Sequence, residues 1–181
     1  LINTYISTLY GLRLTHRLIK ISLPKILSRD YLSCVVLYHE LGHFIDNELN
    51  ISNKLLLKKF LTNSPKNLEQ DKFLKHKKEF FADLFAAQYI HNASNLFLNH
   101  IAYKVPDSHS HPSTDSRIAL VENFLENKTS PNISAIIEVL KSLDLPELKI
   151  RHLPINQGTS QLVNLIPQEF KNRNEVHYIF K

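Results

Sequence analysis

Two histidines and a glutamate lie close together in the run His39-Glu40-Leu41-Gly42-His43. Residues four apart on an α-helix lie one above the other on the same face. Two imidazoles in that arrangement can hold one Zn²⁺ at about 2.0–2.1 Å each. Glu40 follows the first histidine, where a carboxylate can act as general base towards a water activated by the metal. The run therefore predicts a zinc site of the H-E-x-x-H type on a helix.

The residues in front of this run are strongly apolar, which favours a buried helix. Val35 and Val36 share a helical face with His39 and His43, and Asp30 is a candidate N-cap. Polar side chains on a buried helix need partners, because their desolvation is costly. A metal would be such a partner, and a pair of core histidines satisfied by hydrogen bonds is the alternative. We expect this helix to run from about residue 30 to residue 47.

A second helix, expected at residues 68–91, carries two acids four positions apart, Glu79 and Asp83. A catalytic zinc usually has three protein ligands and leaves the fourth position open. We therefore assign Glu79 as the third ligand and Asp83 as the acceptor for the free ring N–H of a ligand histidine. Ala82 and Ala86 lie on the same face and would let the two helices approach closely. The alternative is an amphipathic helix with two solvated acids.

His-Glu-Leu-Gly-His followed by Glu-x-x-Ala-Asp-x-x-Ala-Ala resembles the gluzincins, and most of all the heat-shock and CAAX-prenyl zinc endopeptidases. Residues 111–118, His-Pro-Ser-Thr-Asp-Ser-Arg-Ile, are similar to the His-Pro…Arg-Ile segment of that family. The resemblance covers about residues 31–118. It implies one zinc ion per chain on the same three ligands, with the same general base and the same orienting aspartate. It also implies that His111 and Arg117 line the active site.

Each of these last two residues has a second interpretation. His111 could stabilise the developing oxyanion, as a hydrogen-bonding or cationic side chain does in zinc peptidases. Alternatively, residues 109–112 could be a surface turn that precedes a capped helix. Arg117 could have a structural role and tie its helix to Asp83. The other histidines lack ligand spacing and are expected to pack or to lie on the surface: His16, His76, His91, His100, His152 and His177.

The overall pattern predicts an α+β fold that is mainly helical, a zincin-like metallopeptidase domain with a small edge sheet. A segment with β-branched residues at 16–23 is expected to form a strand. An extended peptide substrate could add to the edge of such a strand by backbone hydrogen bonds. Further helices are expected at 51–62, 114–127 and 132–143.

Two units are expected along the chain. Residues 1–144 would form the metallopeptidase domain, with residues 103–113 as a polar loop or lid near the site. Residues 145–181 would form a small C-terminal α/β appendage that packs on this domain and begins with a strand at 145–154.

Composition narrows the class of protein. The chain has 181 residues, a net charge of +5 and one cysteine, Cys34, so no intramolecular disulfide is possible. The lysines gather largely between the two zinc-site helices, which is typical of a solvated face. Affinity for acidic substrates or nucleic acid is the alternative, but no nucleic-acid motif accompanies them. No apolar run approaches the roughly 18 residues of a membrane span, so we expect a soluble, cytoplasmic protein unless a preceding segment directs export.

The expected function is that of a zinc-dependent endopeptidase acting on a peptide or protein substrate, with Glu40 passing the water proton to the leaving amine. A latent or single-substrate regulatory peptidase of a stress or phage response is one alternative. Peptidases that cleave repressors also carry His-Glu-x-x-His and a later Glu-x-x-Ala-Asn/Asp helix. A non-catalytic zinc scaffold that binds a partner is the other alternative. The intact Glu40 argues against it, since a scaffold needs no base beside the metal.

Overall fold

The computed structural model of the chain describes residues 35–60 and 67–150, and this part is mainly helical. No strand occurs in these two ranges. The small sheet is therefore not found there, and the strand predicted at residues 16–23 lies outside the described residues. The helices, numbered in chain order, are α1 (Val35–Leu49), α2 (Ile51–Phe60), α3 (Leu68–Ile90), α4 (Ala93–Ile101), α5 (Thr114–Leu125) and α6 (Pro131–Ser142).

Short polar side chains begin two of these helices. Asn67 Oδ1 accepts a hydrogen bond of 2.9 Å from the Gln70 N–H at the start of α3. Ser130 Oγ accepts one of 3.3 Å from the Ile133 N–H, and Pro131 follows it at the first helical position. Such caps satisfy backbone N–H groups that lack a partner inside the helix. These local signals explain why the predicted starts of α3 and α6 lie within a residue of the observed ones.

The start of α5 shows which hydroxyl caps it. Ser113 Oγ accepts a hydrogen bond of 3.3 Å from the Ser116 N–H. Thr114 is buried, and its Oγ1 donates instead to the carbonyl oxygen of Ala102. The hydroxyls of Ser113 and Thr114 therefore have different structural roles. One caps the helix, and the other joins it to the end of α4.

Helix α4 is not among the helices expected above, although its apolar residues recur at helical spacing. Its N-cap residue Asn92 makes no side-chain capping bond, and Leu96 on the helix is largely exposed. The buried Asn95 donates a hydrogen bond of 3.3 Å to the Ile118 carbonyl. The helix packs against α1, α3 and α5. Tertiary contacts therefore support a helix that has no side-chain cap.

Helix α3 lies at the centre of the bundle. It packs most extensively against α1, and also contacts α2, α4 and α5, while α6 contacts α2 and α5. Its apolar side chains Phe80, Phe81 and Leu84 join a hydrophobic core, whereas Glu79 and Asp83 face α1. The remaining members of the core come largely from α2, α5 and α6: Ile51, Leu55, Leu120, Val121, Phe124, Ile133, Ile136, Val139 and Leu140.

The two longest helices approach each other at a glycine. A Cβ atom at Gly42 would lie 2.7 Å from the Cα atom of Ala82 and 3.1 Å from its carbonyl oxygen. Ala82 and Ala86 on α3 are fully buried. A side chain at Gly42 would therefore force the two backbones apart. Ala82 and Ala86 were expected to allow the close approach, and the structure adds Gly42, in the middle of the His-Glu-x-x-His run, to these small residues.

Residues 145–150 follow α6 without regular secondary structure. Leu145 and Leu148 pack against the hydrophobic core, and the Lys149 N–H donates to Gln88 Oε1 at 3.1 Å. The strand predicted at 145–154 is thus not found in its described half. The rest of the proposed C-terminal appendage, residues 151–181, lies outside the described residues. None of the helices in the described ranges combines the length and apolarity that crossing a bilayer requires.

Candidate metal centre

Three side chains with metal-ligating atoms meet between α1 and α3. One such atom each from His39, His43 and Glu79 lies within 4.8 Å of the other two. His39 Nε2 is 3.4 Å from Glu79 Oε2, and His43 Nε2 is 3.3 Å from Glu79 Oε1. The side chains are 19 %, 23 % and 11 % exposed, respectively. The structure thus brings together the three residues to which the sequence assigned the metal.

The two distances from histidine to Glu79 suit metal ligands better than hydrogen-bonding partners. Atoms at about 2.0–2.1 Å from a four-coordinate zinc ion lie roughly 3.3 Å from one another. A charge-assisted N–H···O bond would be shorter, about 2.7–2.9 Å. Two imidazoles and one carboxylate are also a donor set that zinc accepts. The residues therefore fit a zinc ion.

Asp83 and Arg117 lie behind the first ligand. Asp83 Oδ1 is 3.0 Å from His39 Nδ1, which leaves Nε2 of that ring for the metal. Arg117 on α5 donates to Asp83 through two bonds of 2.7 Å, and its Nη2 is 3.4 Å from Glu79 Oε2. The contact of Asp83 with a ligand histidine and the contact of Arg117 with Asp83 are both those that the sequence suggested. The guanidinium offsets the charge of two buried carboxylates.

The electrostatics of the cluster keep its acids ionised. Burial alone would lower the pKa of His39, but its contacts with Asp83 and Glu79 outweigh burial and raise the pKa to about 9. Burial would raise the pKa of Glu79, yet its contacts with His39 and His43 and the charge of Arg117 hold that pKa far below its ordinary value. The pKa of Asp83 is likewise held low against burial, by Arg117 and His39. In the metal-free protein the two acids are therefore balanced by the charges of His39 and Arg117.

Glu40 stands apart from this buried cluster. It follows His39 on α1, and its side chain is exposed to solvent. A general base must reach both water and substrate, so an exposed carboxylate next to a ligand suits that role.

His111 lies at the edge of the site. Its Nε2 is 3.7 Å from Glu79 Oε1, and the side chain is 56 % exposed. The residue also belongs to a tight turn, because the Ser108 N–H donates to the His111 carbonyl at 2.9 Å. The two interpretations of this segment are therefore compatible, since the surface turn carries the histidine to the metal ligands.

Two histidines make contacts that sequence reasoning missed. His76 Nε2 lies 2.8 Å from the Ser108 carbonyl oxygen, and His109 Nε2 lies 2.6 Å from Asp71 Oδ2. Both contacts join the loop before α5 to α3. One signal was available, since His76 lies three residues before Glu79 and therefore near it on the helix surface. The partner of each histidine is more than thirty residues away, which local spacing does not reveal.

The lysines of α2 and α3 are mostly engaged with polar partners. Five of them contact acids or amides, namely Lys58 with Glu138, Lys72 with Asp107, Lys75 with Asp71, Lys77 with Asn132 and Lys78 with Asn47. Three of these partners are acids, so part of the positive charge is offset within the protein, as on an ordinary solvated surface.

Comparison of the chain with protein-family models, with curated proteins and with solved structures finds no match. The resemblance to gluzincins therefore rests on the sequence motifs alone.

Proposed function

We propose that this chain is a zinc-dependent endopeptidase of the gluzincin type that hydrolyses peptide bonds in a peptide or protein substrate. The observation that carries the proposal is the meeting of His39, His43 and Glu79 at ligand spacing, with Glu40 exposed beside them. The motif similarity to heat-shock and CAAX-prenyl zinc endopeptidases supports the same assignment.

Each residue has a distinct task in this proposal. Zinc, when bound, polarises the scissile carbonyl and lowers the pKa of water towards about 7. Glu40 takes a proton from the attacking water and delivers it to the leaving amine. His111 donates a hydrogen bond to the oxyanion that develops on the substrate. Asp83 holds the His39 ring in orientation, and Arg117 keeps Asp83 ionised.

The ligand number favours catalysis over a purely structural site. Structural zinc sites usually have four protein ligands, whereas catalytic sites have three and an open position. The cluster in the described ranges contains three. An exposed carboxylate directly after the first ligand has a use in catalysis and none in a scaffold.

A comparison of Glu40→Gln with the parent chain tests the proposal. Both zinc-loaded proteins are incubated with an unbiased peptide library, and cleavage products are identified. Because removing a general base typically costs about 10²–10⁴-fold in rate, we expect the variant to keep its zinc and lose nearly all cleavage. Glu48→Gln, which neutralises another exposed glutamate of α1, is the matched control and should cleave like the parent.

Two outcomes would contradict this mechanism. A Glu40→Gln protein as active as the parent would remove the assigned base. A zinc-loaded parent that cleaves nothing in the library would contradict a general endopeptidase and favour the single-substrate or non-catalytic alternative.

A further inference from the structure

We propose that Asp71, Lys72 and His76 of α3 hold the loop of residues 105–113 in place through side-chain contacts. They would thereby act as positioning residues for His111. The proposal rests on the proposed function, because it is there that His111 serves the developing oxyanion. The contacts themselves do not depend on it.

The first two contacts between α3 and the loop come from residues one helical turn apart on α3. Lys72 Nζ donates to Asp107 Oδ2 at 2.5 Å. His76 Nε2 lies 2.8 Å from the Ser108 carbonyl oxygen, and because a carbonyl only accepts, Nε2 is the donor. His76 is the less exposed of the two, at 14 %. Adjacent residues of the loop are thus bound to residues four apart on the helix.

The third contact is made by the next residue of the loop, His109. His109 Nε2 is 2.6 Å from Asp71 Oδ2. The same carboxylate oxygen is also 2.6 Å from Lys75 Nζ, so the acid is shared between the loop and its own helix. An exposed ion pair of this kind contributes little free energy on its own. The loop is therefore held by three adjacent contacts acting together.

The turn inside the loop links these three contacts to His111. The Ser108 N–H and Oγ both donate to the His111 carbonyl, at 2.9 and 3.1 Å, and Ser108 Oγ lies 3.0 Å from the His111 N–H. Asp107 Oδ1 accepts a bond of 3.2 Å from the Ser113 N–H. A displacement of Ser108 would consequently move the His111 backbone with it.

One face of α3 carries both Glu79 and two of the three residues that hold the loop. Lys72, His76, Glu79 and Asp83 follow one another at helical offsets of four, three and four, which places them in one stripe. His111 Nε2 ends 3.7 Å from Glu79 Oε1. The helix that supplies the third ligand therefore also sets where the histidine stands relative to it.

The test releases the loop without touching a ligand. In the full chain loaded with zinc, Lys72→Gln/His76→Leu is compared with Lys78→Gln. The control removes a lysine of the same helix whose hydrogen-bond partner is Asn47 on α1 and not a residue of the loop. Amide hydrogen exchange at Ser108 and His111 should become at least about tenfold faster in the double variant and stay near parental values in the control. His76→Gln, which keeps an N–H donor, should largely restore protection.

Two further readouts separate positioning from mere stability. The ring resonance of His111 should shift in the double variant while its zinc affinity stays that of the parent. With a library-derived peptide, kcat should fall to the level of His111→Ala with little change in KM. In a His111→Ala background, the double substitution should then have no further effect.

The inference and the proposed function fail separately. Unchanged exchange and an unchanged His111 resonance in the double variant would overturn the inference, as would rate losses that multiply with those of His111→Ala. A parent chain without peptidase activity would instead refute the proposed function, while exchange and the ring resonance would still decide whether α3 positions His111.

Discussion

Arg117 holds Asp83 through two parallel hydrogen bonds of 2.7 Å, from Nε to Oδ2 and from Nη2 to Oδ1. Asp83 in turn lies 3.0 Å from Nδ1 of His39. A continuous line of polar contacts therefore runs from Arg117 on α5 through Asp83 on α3 to His39 on α1. A guanidinium matches both carboxylate oxygens with two N–H groups in fixed geometry, whereas a lysine ammonium is a single charged centre.

Arg117→Ala should destabilise the protein markedly. It would leave only His39 to offset the buried charges of Asp83 and Glu79, and breaking a buried pair costs about 3–5 kcal/mol. Arg117→Lys should recover part of the loss. Urea unfolding of the metal-free chain measures both, with Lys75→Ala as an exposed control. An alanine variant that unfolds at the parental urea concentration would show that the two hydrogen bonds from Arg117 to Asp83 contribute no stability.

Glu79→Ala should weaken zinc binding by at least about 100-fold, because it removes one of three protein ligands. Competition with a chromogenic chelator measures the affinity. Glu122→Ala, which removes an exposed glutamate from α5, should bind like the parent. Full zinc occupancy in the Glu79 variant would mean that the third ligand lies elsewhere in the chain.

Gly42→Ala should weaken both the fold and the metal site. Alanine favours a helix by up to about 1 kcal/mol over glycine, but here its Cβ would meet the Ala82 backbone at 2.7 Å. Overpacking of this kind costs about 1–3 kcal/mol, so the net effect should be destabilising, with zinc affinity reduced as α1 moves away from Glu79.

A second substitution makes this prediction specific. Ala82→Gly should fail to rescue Gly42→Ala, because the atoms nearest to the added Cβ are the backbone Cα and carbonyl oxygen of Ala82. Thermal unfolding and chelator competition provide the readouts. Rescue to parental stability would show that the helices are separated by side chains and not by backbone contact.

Zinc binding should release a proton at neutral pH. In the metal-free protein the pKa of His39 is raised to about 9, so its ring is protonated, whereas a ligand imidazole must offer a free nitrogen. Calorimetric titration at pH 7.5 in two buffers of different protonation enthalpy should show release of about one proton per zinc. Apparent affinity should rise about tenfold per pH unit and level off near pH 9. Binding enthalpies that are the same in both buffers would contradict this prediction.

The same pKa sets the stability of the metal-free chain. A histidine whose pKa rises from 6.5 to about 9 on folding contributes stability that is fully present below pH 6.5. That stability is lost as the pH rises through 9. Metal-free protein should therefore become easier to unfold between these values, while the zinc-loaded protein should not follow it, because zinc then occupies the ring nitrogen.

Much of the candidate site could be read from local spacing. The interval of four residues between His39 and His43, and between Glu79 and Asp83, places each pair on one helical face whatever the rest of the chain does. Asn67, Ser113 and Pro131 likewise indicate helix starts through bonds or ring geometry within a few residues. Local interactions of this kind need no knowledge of the fold.

Tertiary packing decided what those faces meet. Three features of the site join residues more than thirty positions apart. They are the close approach of Gly42 to Ala82, the paired hydrogen bonds from Arg117 to Asp83, and the attachment of the 105–113 loop to α3. The sequence suggested the first two, through the small residues on one face of α3 and a tie from Arg117 to Asp83. Which atoms meet depends on how the core of α2, α3, α5 and α6 orients α3. The packing of α4 against three neighbours is likewise a product of the fold.

The sequence by itself thus determined which side chains could bind a metal and on which helical faces they lie. Tertiary structure decided that α1 and α3 face each other at ligand distance, and that His111 stands beside Glu79. The physical reason is the range of the interactions. Helical hydrogen bonds and caps act within about four residues, whereas burial and ion pairs join residues that only the completed core brings together.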